Sequence, residues 1–358
     1  MTRLAPARDL PLDFLRGVDV MLMLLVNFLV PAAPAILRHA AWHGLTLADI
    51  VFPIFLFIVG ISASLAFDGR LRRQMPWGAI ARRGALLFAI GVALNWCLRP
   101  GFDWDQLRWA GVLQRIAIVY LACAVIVSVG RGAIVPLGLG LAIIATHTFV
   151  LLNIGAENTV ASLAPGAGIS GWLDRQLPPG LILRGSWDPE GILSTLPSMA
   201  SGFLGVALAR WASAPRPIWR LAFAGILLVL TGLLTTIVIP INKDLWTASF
   251  VLVTSGIGAS GYAAVRAAWP VLQPHGWAKQ FVAVGQAALT IYVIHMLLIA
   301  LLRLPPGGED RLWDSLLAGL RASGLSAMWA SVLFAVLAVI LCRLLLAPLQ
   351  RRGLLLRV

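Results

Sequence analysis

His39 and His43 stand four residues apart in a short polar stretch of an otherwise apolar chain, with Trp42, Thr46 and Asp49 beside them and Asn27 upstream. A neutral imidazole can take a proton from an attacking amine or hydroxyl, or can itself accept an acyl group. An amide such as Asn27 can donate to a developing oxyanion, and Asp49 can hold a histidine in one tautomer. Plainer readings compete. Thr46 with Asp49 resembles a helix-starting capping box, with Asp where Glu or Gln is usual, and Trp42 suits a membrane-interface anchor. The two histidines would share a helical face, but no third ligand accompanies them, so no metal is expected.

Other polar groups fall where a bilayer makes them costly, and such groups line cavities or pair with one another. Asp13, Arg16 and Asp19 recur at i, i+3 spacing, which predicts one face holding either an ion network or a grip on an anionic ligand. Arg115, after Gln114, needs a partner, and either a ligand phosphate or a structural carboxylate fits its planar fork. Asp188 and Glu190 flank Pro189, so they either start a helix or face a substrate. Asn242, Lys243 and Asp244 form a polar loop able to contact a hydrophilic substrate. His295, with Tyr292 one turn earlier, is either a functional histidine or a satisfied core one.

The elements that must position these groups are membrane helices. The chain has 358 residues, of which 59% are hydrophobic and only 12% charged, about half the charge of an ordinary soluble chain. The sequence predicts one transmembrane domain over 1–358, all-α, with ten spans: 12–31, 46–67, 79–98, 109–129, 132–152, 191–211, 217–239, 246–268, 280–302 and 319–347. Asp19 and Asn27 interrupt the first apolar run, so it reads as a retained span rather than a signal peptide.

The net charge of +13 does not indicate nucleic acid, because its 28 basic residues cluster in alternate loops. With both termini cytoplasmic, 18 of them lie inside and 11 of the 15 acids lie outside, as the positive-inside rule requires. The stretch 153–190 is then an outer loop, either a lid or a solvated connector carrying an interfacial helix around Trp172. Cys97, Cys123 and Cys342 sit in apolar runs and suggest packing rather than disulfides. The arginine-rich, lysine-poor usage fits a GC-rich bacterial genome and hence a multi-pass inner-membrane protein.

Ordered blocks of residues carry a resemblance. Leu12-Asp13 to Arg16-Gly17, Asn27, His39 to Trp42 and Thr46, and Asp49-Ile50-Val51-Phe52-Pro53 are followed by Gly111 to Arg115, Asp188 to Leu193, Asn242 to Trp246 and Ile291 to His295. Together they resemble the heparan-α-glucosaminide N-acetyltransferase family of transmembrane acyltransferases. The family pattern usually has Asn where this chain has His43. The resemblance implies a bacterial-type member without the luminal domain and leading span of the animal enzymes. It also implies acetyl-CoA as donor, His39 as the active-site histidine and Asn27 as a functional asparagine.

The expected activity is transfer of acetyl from cytoplasmic acetyl-CoA to an extracytoplasmic amino sugar or glycan. Arg16, Arg82, Arg83 and Arg115 would serve the donor. Trp42, His43, Asp188, Glu190, Asn242, Lys243, Asp244 and His295 would serve the acceptor. Membrane lipid is the surrounding partner, and a homodimer is left open. The alternative is a transporter of amino sugars or related solutes, which discontinuous helices would favour.

Overall fold

The computed structural model describes residues 8–68, 74–98, 106–157, 159–176, 180–212, 218–304 and 311–356. Of the basic residues that set the predicted topology, Arg3, Arg70, Arg72, Arg73, Arg216 and Arg357 lie outside them.

Each predicted span falls on a helix or on a pair of helices. In chain order these are α1 (Leu10–Asn27), α2 (Leu47–Phe67), α3 (Trp77–Leu98), α4 (Val112–Val129), α5 (Ile134–Asn153), α6 (Ile169–Gln176), α7 (Ile192–Trp211) and α8 (Trp219–Thr235). After them come α9 (Ala248–Leu272), α10 (Gly276–Gln286), α11 (Ala288–Leu302), α12 (Leu312–Ala322) and α13 (Ala327–Arg351). Seven of these helices are long and apolar enough to cross a bilayer, and the α10–α11 pair makes an eighth. The remaining two predicted spans are α1, which carries Asp13, Arg16 and Asp19, and α8, which has 17 residues. The protein is a polytopic helical membrane protein.

Two predicted spans differ in form. The span 280–302 is broken at Ala287, where α10 and α11 meet at 80°. The span predicted at 319 begins at Ala327 instead, because Gly324 takes φ +91° and ends α12, and Ser326 then caps α13. Glycine adopts that left-handed backbone without a Cβ clash.

Burial separates the helices into a core and a rim. The apolar stretches of α4, α7 and α9 are 67%, 72% and 72% buried, against 28%, 28% and 33% for α3, α5 and α13. The rim helices turn their leucines, isoleucines and valines to lipid, as a bilayer requires. A large core joins α2, α4, α7 and α9, and a second joins α1, α11 and α13.

The arginine-bearing helix ends are fastened together on the predicted inner side. Arg16 donates to Asp13 at 2.6 Å and to Ser62 Oγ of α2 at 2.7 Å, and Gln286 donates to the other Asp13 oxygen at 3.1 Å. Asp19 does not join this network: its Oδ2 is buried with no hydrogen-bond partner among the described residues. Arg210 pairs with Asp68 at 2.9 Å, and Tyr262 of α9 donates to Asp9 at 2.6 Å.

Where α1 crosses α10, backbone lies on backbone. A Cβ on Gly17 would stand 1.9 Å from the Phe281 carbonyl oxygen, and one on Gly285 would stand 1.9 Å from that of Asp13. Small residues permit such approach between membrane helices. Gly17→Ala is expected to destabilise the protein by about 1–3 kcal/mol through overpacking. Gly138→Ala, where nothing lies within 4 Å, should be neutral or stabilising by up to about 1 kcal/mol. Thermal unfolding of both variants in detergent checks the contrast.

Candidate active site

The segment between α1 and α2 is not helical apart from a 3-10 turn at Ala35–Leu37, so His39 and His43 do not share a helix face. Asp49, in the first turn of α2, organises the segment instead. Its side chain is 1% exposed, and its Oδ1 lies 2.8 Å from His39 Nδ1. Its Oδ2 accepts from the Ala40 N–H at 3.1 Å, the Thr46 N–H at 3.1 Å and Thr46 Oγ1 at 2.9 Å. The capping contact read from the sequence is therefore present, and the same carboxylate also holds the histidine. Lys243 Nζ stands 3.8 Å from Oδ1.

A carboxylate accepts hydrogen bonds, so His39 carries its proton on Nδ1 and leaves the Nε2 lone pair free. The His39 side chain is 41% exposed. His43 has the opposite polarity. Asn242 Nδ2 donates to His43 Nδ1 at 3.2 Å and to the Trp42 carbonyl at 3.0 Å, which leaves the proton on His43 Nε2. The exposed segment thus offers one ring acceptor and one ring donor.

Asn27 meets a different histidine. Its Nδ2 lies 3.1 Å from His295 Nε2, and His295 Nδ1 lies 3.1 Å from the Tyr292 carbonyl. The carbonyl can only accept, so His295 donates through Nδ1 and accepts from Asn27 through Nε2.

The outer loop folds over this segment. Trp42 Nε1 donates to the Leu163 carbonyl at 2.8 Å, and its ring meets Trp187 edge-on at 5.3 Å. Trp187 Nε1 donates to Asp244 at 2.9 Å.

Asp188 and Glu190 are both held by Arg108, a residue that sequence reasoning passed over. Arg108 Nε and Nη2 grip Asp188 at 2.8 and 2.5 Å, and Nη2 reaches Glu190 at 2.5 Å. The helix-starting role expected of these acids falls to Asp174 of α6, which accepts from the Ile192 N–H at 3.1 Å and the Asp188 N–H at 3.0 Å. Burial pushes the Asp174 carboxyl above its ordinary value. Burial acts the same way on Asp188, but the Arg108 guanidinium outweighs it and holds that carboxyl below the usual range. One signal pointed to Arg108: it is a basic residue in the half of the protein that holds most of the acids.

Arg115 is buried and stacks on Trp246 at 4.9 Å. It donates to the Gly191 carbonyl at 3.1 Å and to Ser194 Oγ at 2.6 Å, while its Nε and Nη1 have no hydrogen-bond partner among the described residues.

A cavity of about 390 Å³ runs through the same helices. Its inner end is lined by Arg8, Arg16 and Arg83, with Arg83 over the Tyr120 ring at 5.0 Å. Its outer end is lined by Met23, Phe52, Val112 and Tyr292. Arg16 and Arg83 line the cavity together with Arg8, whereas Arg82 and Arg115 do not line it.

A bundle of membrane helices enclosing a basic-mouthed cavity, with a histidine–aspartate pair at the far face, defines a polytopic membrane protein with an enzyme-like site. Residues 8–170 match the family model described as heparan-alpha-glucosaminide N-acetyltransferase, catalytic. The chain is 30% identical over 359 residues to heparan-alpha-glucosaminide N-acetyltransferase of Mus musculus and 29% identical over 361 residues to that of Homo sapiens. These alignments take in 80% and 81% of the chain and 53% of each relative, so the chain spans about half the length of the curated relatives it matches. The chain belongs to the heparan-α-glucosaminide N-acetyltransferase family.

Arg108→Met would leave two buried carboxylates unpaired, at an expected cost of about 3–5 kcal/mol. The native Asp188 is held below its unfolded value, so its contribution is present above the unfolded pKa and is lost as pH falls through the folded one. With Arg108 gone, burial alone acts on Asp188 and lifts its carboxyl, so protonation relieves the folded variant as pH falls and its deficit should narrow from pH 7 toward pH 4, which unfolding midpoints at the two pH values would measure.

Proposed function

We propose that this protein moves an acetyl group from acetyl-CoA, bound from the cytoplasmic side, to an amino sugar or glycan at the outer face of a bacterial inner membrane. The observation that carries this reading is the placement of the His39–Asp49 pair at one face of a cavity-bearing bundle whose other end gathers arginines. Phe52 lines the outer end of the cavity three residues after Asp49, roughly 4.5 Å of helix rise. The barrier between cavity and histidine segment is therefore thin.

In this reading Arg8, Arg16 and Arg83 attract the CoA phosphates, since guanidinium forks suit phosphate oxygens. The flexible arm of the donor lies along the apolar cavity wall and brings the thioester to its outer end. His39 Nε2 either takes the proton of the attacking amine or carries the acetyl group transiently, and Asp49 fixes its tautomer in both cases. Asn27, held through one amide hydrogen by His295, offers its other to the developing oxyanion. Trp42, His43, Asp188, Glu190, Lys243 and Asp244 border the acceptor, with Asn242 setting the His43 ring. His295 acts there through Asn27, and Arg115 supports the Trp246 side of the loop.

A transporter of related solutes is the second reading, favoured by the broken α10–α11 helix, whose Gly285, Gln286 and Ala288 line the cavity. Purified protein in nanodiscs, given radiolabelled acetyl-CoA and a panel of amino sugars, separates the two. Label should reach a sugar with wild type and fall at least 100-fold with His39→Ala. A folded wild type that turns over no acetyl-CoA, yet in proteoliposomes takes up sugar without it, would establish the transporter instead.

A further inference from the structure

We infer that the Tyr292 hydroxyl is a donor to the acyl carbonyl of the thioester, and hence a catalytic residue of the transfer proposed above. The inference deepens that reading and rests on it.

The cavity sorts its polar groups by whether they are already engaged. Arg16 is committed to Asp13 and Ser62, Gln286 to Asp13, and Ser62 to the Ile58 carbonyl. Tyr120 lies at the arginine end beneath Arg83. Toward the outer end the lining is Met23, Phe52, Val112, Leu113 and Tyr292. Among these side chains the Tyr292 hydroxyl is the polar one, and it has no hydrogen-bond partner among the described residues. It is also absent from the sealed polar atoms of the interior, as befits a group that opens on the cavity.

Tyr292 is 8% exposed, and a hydroxyl that opens on a cavity is satisfied by whatever occupies the cavity. A few placed polar groups in an otherwise apolar pocket are how small-molecule sites fix orientation. The matching ligand group is an acceptor on an apolar stem, which is what the carbonyl of an acyl thioester presents.

Two contacts hold the ring. His295 meets it edge-on at 5.4 Å, and the Tyr292 carbonyl receives His295 Nδ1–H, while His295 Nε2 receives the Asn27 amide. The Tyr292 ring and the Asn27 amide thus both meet one histidine, and in the transfer the hydroxyl and the amide serve as two donors to one developing charge. The acceptor nitrogen, or His39 Nε2, bonds to the acyl carbon and the carbonyl pair moves to oxygen, where Tyr292 donates without giving up its proton. The pair returns, the C–S bond breaks, and sulfur leaves as the CoA thiolate with both electrons. In the direct route His39 takes the amine proton.

Tyr292→Phe removes the hydroxyl and keeps the ring against His295. Purified full-length protein in nanodiscs would be titrated with CoA and with a ketone analogue of acetyl-CoA, in which a methylene separates sulfur from the carbonyl. CoA should bind the variant as it binds wild type, whereas the analogue should lose about 3–10-fold, the worth of one neutral hydrogen bond. The carbon-13-labelled carbonyl of the bound analogue should move to higher infrared frequency in the variant. Turnover should drop roughly 100-fold with little change in KM. If both ligands bind wild type and the variant changes neither the analogue's affinity nor its carbonyl band, the Tyr292 assignment is overturned. If wild type binds neither ligand, the donor reading itself falls, and this assignment with it.

Discussion

The histidine segment and the entry to α2 depend on one buried carboxylate, Asp49. A carboxylate buried at a membrane face is tolerable only when its oxygens are matched by donors, and here they come from three separate places. Two backbone N–H groups and a hydroxyl come from the 40–46 segment, an imidazole comes from His39, and the Lys243 ammonium approaches from the loop before α9. Satisfying one anion therefore shapes the non-helical entry to α2, orients the histidine and docks the loop that carries Lys243. That loop is itself constrained: Trp246 takes φ +54°, an uncommon backbone for a bulky residue. It is held there by packing against Phe52, Phe250 and Arg115.

The same logic organises the protein into two polar layers separated by apolar packing. Arg108 gathers the acids of the outer layer, and Arg16 and Arg210 tie helix ends on the inner side. Between them lies the cavity, which in the proposed transfer is the route from the arginines toward the opposite face. The α10–α11 break contributes to this. A straight helix would satisfy its own backbone throughout, whereas a bend at Ala287 turns Gly285 and Gln286 to the cavity wall.

What the sequence made legible was local or periodic. Span positions followed from apolar run length, and the His39–Asp49 relation from a short segment whose residue types suit one another chemically. The pairing of Asp188 and Glu190 with Arg108 spans 80 and 82 residues, and no spacing rule reaches that far. Asp174 lay in the expected interfacial helix around Trp172, but its capping of α7 depends on how the outer loop folds back. The 80° break falls at Ala287 with no proline beside it, so composition held no mark of it. Asp19 fitted the i, i+3 pattern and yet stays outside the hydrogen-bonded network, because Arg16 turns to Asp13 and to Ser62 of α2 instead.

The long-range partners of α1 have a consequence for how the chain is made. Tyr262, Gln286 and His295, which engage Asp9, Asp13 and Asn27, lie 253, 273 and 268 residues downstream. At ribosomal speeds of about 5–20 residues per second they emerge roughly 13–55 s after the helix they serve. Until Ser62 of α2 follows 46 residues later the charges of α1 have only each other, and the contact between Arg16 and Asp13, three residues apart on one helix, is available from the first moment. The nascent helix thus enters the lipid with a counterion of its own, and the later spans arrive to complete a pairing that has already begun.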